Sequence, residues 1–189
     1  GTMTSYVLNS TTAVNRRPDV NTTTIQDEDL ATTLPSLTGK IYTQRRITGA
    51  GVRVFTTNQP EIIYASGNTV YYDYNNAGTW SKATIPNNNY AALYLVAIPV
   101  TADADSQLFR YVWVQPQTYG ALPTIQSITP NNLTLGDSEN LVSEFVFIGK
   151  VIINVAGNNW TLYSVELLTG DKSNQTSSPS GNYLSVVNS

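Results

Sequence analysis

Short apolar runs separated by turn residues fill the chain from residue 41 to its end. The runs have strand length, and several alternate apolar and polar side chains with period two. Asn, Gly, Asp and Pro stand between them, where they favour tight turns. The pattern predicts roughly eight to ten short strands, with the main runs at residues 41–47, 52–55, 69–74, 92–98, 108–114, 145–153, 160–168 and 182–187.

This spacing predicts an all-β fold, an antiparallel β-sandwich or jelly roll over residues 41–189. No segment has a helical period long enough to connect parallel strands, and residues 116–143 are rich in Pro, Asn and Gly. The most apolar positions of the runs are expected in the core: Leu93, Leu95, Ile98, Val112, Val114, Phe147, Ile148 and Ile152.

Two of the runs, residues 92–98 and 145–153, are apolar on both faces. A sandwich buries one face of each sheet, so the second face needs a cover. Self-association would supply it, because an exposed apolar face makes a monomer aggregate. Alternatively, the loop from Gln115 to Ser143 or the segment before Ile41 folds over the sheet within one chain.

Residues 1–40 differ from the rest of the chain. They are rich in Thr and Asn, have little apolar periodicity and contain the acidic run at residues 27–29. We predict a polar N-terminal arm, either simply extended or serving as an attachment segment that docks on another subunit.

Composition excludes several functional classes. The chain has no Cys and no His, which removes thiol nucleophiles, zinc–thiolate sites and the commonest general base. The net charge of −3 and the absence of a dense basic stripe argue against nucleic-acid binding. No apolar run approaches the length of a membrane span. We expect no cofactor and no membrane insertion.

Carboxylates are the remaining candidates for catalysis, because a pair of them can hydrolyse glycosides without histidine. Nothing in the sequence brings two together, and the clustered acids lack the spacing of an EF-hand calcium loop. We therefore predict neither a catalytic site nor a metal site. The candidates weighed for hydrolysis are Asp73, Asp103, Asp105, Glu144 and Glu166.

The segment from Thr69 to Trp80 is the one local feature that suggests binding. It predicts a hairpin with a tip tolerant of positive φ, and its aromatic and amide side chains could stack on sugar rings and reach their hydroxyls. Ordinary cross-strand aromatic packing is the alternative. If Trp80 is buried, the binding surface lies elsewhere. The candidate ligand-binding residues are Tyr72, Tyr74, Asn75, Asn76 and Trp80.

The segments FVFIGKVII (residues 145–153), NWTLYSV (159–165) and YVWVQPQT (111–118) resemble the distal part of bacteriophage tail-fibre and related virion structural proteins. The resemblance covers residues 41–189 loosely. It implies a virion protein assembled in the bacterial cytoplasm and extracellular after release. It further implies a homotrimer with other virion subunits and a host-surface glycan or receptor as partners. A capsid decoration protein, a carbohydrate-binding module and a carbohydrate-active hydrolase are the alternatives.

Overall fold

A computed structural model describes residues 2–3, 6–8, 18–20, 23–27, 30–34, 42–46, 53–56, 62–63, 65–66, 69–97, 111–134, 146–157 and 159–168. These residues are mostly in antiparallel β-strands, which confirms the all-β prediction. The strands are β1 (Thr2–Met3), β2 (Tyr6–Leu8), β3 (Pro18–Val20), β4 (Thr23–Asp27), β5 (Leu30–Leu34), β6 (Tyr42–Arg46), β7 (Arg53–Thr56), β8 (Ala65–Ser66), β9 (Thr69–Asn76), β10 (Thr79–Thr84), β11 (Asn89–Ala97), β12 (Tyr111–Val114), β13 (Val146–Ala156) and β14 (Asn159–Leu167).

The largest sheet has six strands in the order β14-β13-β11-β12-β6-β7. Neighbouring strands are antiparallel except β12 and β6, which run parallel. The two runs that are apolar on both faces became β11 and β13, which pair at the centre of the ladder. Their side chains are buried on both faces, as a covered central strand requires.

Ile148 sits at an irregularity in this pairing. Leu95 pairs with Gly149, and the next residue, Val96, pairs with Phe147, which leaves Ile148 as an extra residue in β13. The bulge changes which positions of β13 face each side: Ile148 lies in the same core cluster as Val151, while Phe147 lies in the opposite one.

One face of the central sheet packs under a smaller sheet of order β10-β9-β8. Leu93 and Leu95 point to this side, together with the indoles of Trp113 and Trp160. Val70 from β9 and Ile85, just after β10, complete the cluster from above. The apolar face of the hairpin is what holds it against the sheet.

The opposite face is covered by residues 117–134, which we call the strap. The strap contains the short helix α1 (Leu122–Gln126) and one 3-10 turn (Pro130–Asn132). Ile125 and Leu133 of the strap pack with Tyr94, Phe147 and further residues of the sheet. A cover from within the chain, the alternative considered for this face, is therefore what the described residues form. The structural reason to expect self-association was an uncovered apolar face, and this face is covered. The homotrimer stays a prediction from the resemblance alone.

Residues 1–40 contain β1 to β5. Within the described residues, the ladders of these strands join them only to one another, in a sheet of order β1-β4-β5 and a pair β2-β3. The segment predicted as a polar arm thus contains short strands. Its role as an attachment segment stays a prediction.

The predicted core is confirmed at every position that the structure describes: Leu93, Leu95, Val112, Val114, Phe147, Ile148 and Ile152 are all buried. Ile98 lies outside the described residues. In the part of the chain that the structure describes, no helix is long and apolar enough to cross a membrane.

Candidate functional site

The β9–β10 hairpin forms as the sequence predicts. Its two-residue loop holds Ala77 at φ 47° and Gly78 at φ 92°, the left-handed conformation that primed hairpin turns require. The Gly78 amide donates a hydrogen bond to Asn75 Oδ1 over 2.8 Å. This bond fixes the Asn75 amide at the tip, with its oxygen turned toward the loop.

The strand register divides the five predicted site residues between the two faces of the hairpin. Trp80 pairs with Asn75, so their side chains share one face. Tyr72, Tyr74 and Asn76 alternate to the other face. The hairpin therefore does not assemble them into one surface.

Tyr72 has a packing role. It packs against the core cluster under the hairpin, and its ring meets Tyr119 edge-on at 5.1 Å and Tyr74 at 6.1 Å. Burial, followed by the neighbouring Tyr119 and Tyr74, raises the pKa of the Tyr72 phenol. Tyr74 is the exposed member of the group, with 41% of its surface accessible.

Trp80 corrects the sequence hypothesis. Its indole is only 5% exposed, so it cannot offer the open stacking surface that the hypothesis assigned to it. Trp80 lies on the opposite face of the hairpin from Val70 and Tyr72, which pack on the core cluster, and its neighbours there are residues of the strap and of β11. The exposed hairpin tip is therefore not the binding surface we infer. The small exposed part of Trp80 opens instead into a cleft beside the hairpin.

The cleft has a volume of about 480 Å³ and lies between the hairpin, the strap and the central sheet. This volume falls within the range of about 300–1,000 Å³ that is usual for small-molecule sites. Buried apolar groups form its base, while exposed amides and hydroxyls form its rim. The residues around it are Asn75, Trp80, Ala92, Tyr94, Gln117, Thr118, Thr124, Ser127, Ile128, Asn132, Leu133 and Thr134.

Gln117 closes the strap at its two ends. Its Nε2 donates to the Thr134 carbonyl over 2.6 Å, and its Oε1 accepts from the Thr134 amide over 2.9 Å. A side-chain amide here mimics one rung of a β-ladder. Near the start of the strap, Gly120 pairs with Tyr90 through two backbone hydrogen bonds. These bonds set the position of the cleft wall relative to the sheet.

Two buried side chains hold the middle of the strap from below. Lys150, only 3% exposed, donates from Nζ to the carbonyls of Gln126 (2.8 Å) and Ile128 (2.9 Å). The Tyr94 hydroxyl donates to the same Ile128 carbonyl over 2.7 Å. The ammonium thus satisfies carbonyls at and just beyond the end of α1, where a cation is favourable.

Burial determines the ionisation of both groups. It lowers the pKa of the Lys150 ammonium, against a smaller opposite effect of Glu166, whose Oε2 is 4.0 Å away. Burial raises the pKa of the Tyr94 phenol, and the charge of Glu166 adds to that rise.

Of the acids weighed for hydrolysis, the structure describes Asp73 and Glu166, which lie on strands of different sheets. Asp73 is buried in the hairpin, and its backbone amide donates to the Pro116 carbonyl over 2.7 Å. Glu166 lies beside Lys150 on another strand. Neither lines the cleft. No group of three or more potential metal-binding side chains occurs in the part of the chain described. The other acids weighed for hydrolysis, Asp103, Asp105 and Glu144, lie outside it.

Sequence reasoning missed the strap as a site. The segment alternates Pro with Thr, Ser, Asn and Gln, which indicated turns; its folding over the sheet was one alternative, but nothing in it pointed to a binding site. Asn75 and Trp80 are the two predicted residues that the structure brings to the cleft. The comparisons add no further candidates: no protein-family model, curated protein or solved structure matches the chain.

Proposed function

We propose that this protein is a non-catalytic virion surface module, part of a phage fibre or spike, that attaches to a glycan or receptor on the host cell. The observation that carries the proposal is the cleft between the hairpin and the strap, whose rim consists of uncharged amides and hydroxyls. Convergent polar groups around an apolar base are typical of a recognition site.

The lining of the cleft favours binding over hydrolysis. Glycosidases place two carboxylates on either side of the scissile bond, whereas neither Asp73 nor Glu166 reaches the cleft. Its walls also contain no Lys or Arg that could hold a phosphate or a carboxylate. A carbohydrate-active hydrolase is the enzyme alternative, and it would need acids from outside the described residues.

The virion context comes from the resemblance of residues 111–118, 145–153 and 159–165 to tail-fibre proteins. The same resemblance implies a homotrimer and contact with other virion subunits. Residues 1–40 are the proposed attachment segment for that contact. A capsid decoration protein would share this context but would not need a ligand cleft. The cleft is therefore the reason to prefer attachment over decoration.

We also propose that residues 41–189 form a β-sandwich. The packing of the β8–β10 sheet on one face of the six-stranded sheet supports this arrangement. A jelly roll is the alternative strand connection.

Adsorption to cells tests the attachment function. The fluorescently labelled protein is incubated with a panel of bacterial strains, and bound fluorescence is measured with and without excess unlabelled protein. We expect saturable binding to some strains, competed by unlabelled protein. Absence of saturable binding across the panel, or release of reducing ends from surface polysaccharides, would contradict the proposal.

A further inference from the structure

The cleft has an amphipathic lining. Trp80, Ala92 and Leu133 are buried at its base, whereas Thr118 and Thr124 are exposed at its rim. A sugar ring has the matching character, because its C–H groups form an apolar face and its hydroxyls project around the edge. Aromatic and aliphatic groups below and hydrogen-bonding groups around it would satisfy both parts.

Two amide donors at the rim are held in fixed orientations. Asn75 Oδ1 accepts from the Gly78 amide over 2.8 Å, and Asn132 Oδ1 accepts from the Thr129 amide over 2.8 Å. A side-chain NH₂ cannot accept these bonds, so each amide has only one possible orientation. Both Nδ2 groups lack a partner among the described residues. Because both donors are oriented before a ligand binds, less conformational entropy of the side chains is lost on binding.

The charge of the lining defines the ligand further. All the residues around the cleft are neutral. Lys150 lies beneath the strap, and its Nζ is occupied by the carbonyls of Gln126 and Ile128. An anionic sugar would bury its charge without a partner, which is unfavourable.

We propose that this cleft binds an uncharged saccharide. The apolar face of the sugar covers the small exposed edges of Trp80 and Leu133 at the cleft base, and its hydroxyls accept hydrogen bonds from the Nδ2 groups of Asn75 and Asn132. The hydroxyls of Thr118 and Thr124 supply further hydrogen bonds at the rim. The inference rests on the proposed attachment function and names the chemical class of the ligand.

Substitutions that keep the fold but remove the donors test the proposal. Asn75→Ser and Asn132→Ser keep a side-chain oxygen that accepts the turn hydrogen bonds and remove each Nδ2 donor without adding charge. Thr118→Trp, at an exposed position, fills the cleft. Asn76→Ser makes the same change on the other face of the hairpin tip, and Thr161→Trp places the same ring on exposed β14; both are matched controls.

Binding is measured by saturation-transfer NMR and calorimetry with neutral methyl glycosides of common hexoses and N-acetylhexosamines, beside sialic acid and glucuronic acid. Circular dichroism checks the fold of each variant. We expect a neutral glycoside to bind the full-length protein. Each Asn→Ser variant should weaken this binding by about tenfold, the effect of one lost hydrogen bond. Thr118→Trp should abolish binding, and both controls should bind like the wild type.

Binding that is unchanged in the folded cleft variants, binding of acidic sugars alone, or no binding of any glycoside would overturn the inference. Cell adsorption of the same variants tests the saccharide site and the attachment function separately. If Thr118→Trp still adsorbs to cells, attachment stands and the cleft is not the site. If a neutral glycoside binds in the cleft but the wild type adsorbs to no strain, the saccharide site stands and the attachment function fails.

Discussion

Lys150 shows how one buried charge can organise a surface. Its stem passes through the core face under the strap, and its ammonium ends at two backbone carbonyls. Glu166 is 43% exposed and 4.0 Å away, so this ion pair contributes little beside the two hydrogen bonds. The main role of the lysine is therefore to tie the strap to β13.

Replacing Lys150 by Met should destabilise the protein at neutral pH by about 1–2 kcal/mol. The methionine fills the same space, but the Gln126 carbonyl loses its bond to Nζ, whereas the Ile128 carbonyl keeps Tyr94. Urea unfolding measures the change. Thr84→Met, at an exposed position on β10, is the control and should change the free energy of unfolding by less than about 0.5 kcal/mol. Equal stability of Lys150→Met and the wild type would contradict this role.

The difference in free energy of unfolding between the wild type and Lys150→Met should depend on pH. Burial lowers the pKa of Lys150 below 10.5 in the folded state. The folded state thus releases this proton before the unfolded chain does, and rising pH favours folding until 10.5 is reached. We expect the free energy of unfolding of the wild type to increase relative to Lys150→Met between neutral pH and that value. Urea titrations at several pH values measure it, and a constant or shrinking difference would refute the shift.

The pKa shift of Tyr94 has the opposite effect on the free energy of unfolding as the pH rises. Its raised pKa keeps the phenol protonated in the folded state, so stability is lost as pH rises through 10.0, where the unfolded chain ionises. Both proteins in the comparison retain Tyr94, and its contribution largely cancels in their difference.

Among the elements, the strap has its two ends joined by one side chain, Gln117. Gln117→Ala removes both hydrogen bonds to Thr134. We expect backbone amides within residues 118–133 to exchange with solvent about five- to tenfold faster, the effect of a local opening made easier by about 1 kcal/mol. Hydrogen exchange followed by mass spectrometry measures it. Gln126→Ala, exposed on α1, should leave exchange unchanged; equal effects of the two substitutions would remove the special role of Gln117.

Strand elements were predictable because their signals are local. The apolar runs that became β11 and β13, and the turn residues that set the β9–β10 hairpin, are visible within a few residues of sequence. The helix α1 was not predicted. It has five residues, too few to show a period, and Pro123 near its start suggested a turn.

The cleft was only partly predictable, for a related reason. Asn75 and Trp80 belong to a hairpin that its own residues specify, but the strap residues across the cleft from them are 37 to 59 positions further along the chain. The contacts that bring Thr118 and Asn132 beside them depend on Lys150, Tyr94 and Gln117 together. No local pattern encodes that arrangement. The burial of Trp80 likewise follows from the strap and sheet around it.

For the whole molecule, we expect a homotrimer, on the strength of the fibre resemblance. Because the strap and the β8–β10 sheet already cover both faces of the central sheet, the subunits should be able to separate without unfolding. Sedimentation velocity over a dilution series gives the mass, and circular dichroism at the same concentrations gives the fold. A species near 20.6 kDa at every concentration would refute the trimer. Loss of β-structure upon dissociation would refute the independence of the subunits.

The three tryptophans also make the fluorescence of the protein sensitive to its folding and to the contents of the cleft. All three indoles are buried, so the folded protein should emit at short wavelength and shift to the red on unfolding. Trp113 and Trp160 lie in the core cluster beneath the hairpin, whereas Trp80 alone borders the cleft. A ligand entering the cleft should therefore change only the Trp80 component of the emission. Trp80→Phe should remove the response to ligand while leaving the unfolding signal of the other two, so that binding and stability are followed separately in one unlabelled sample.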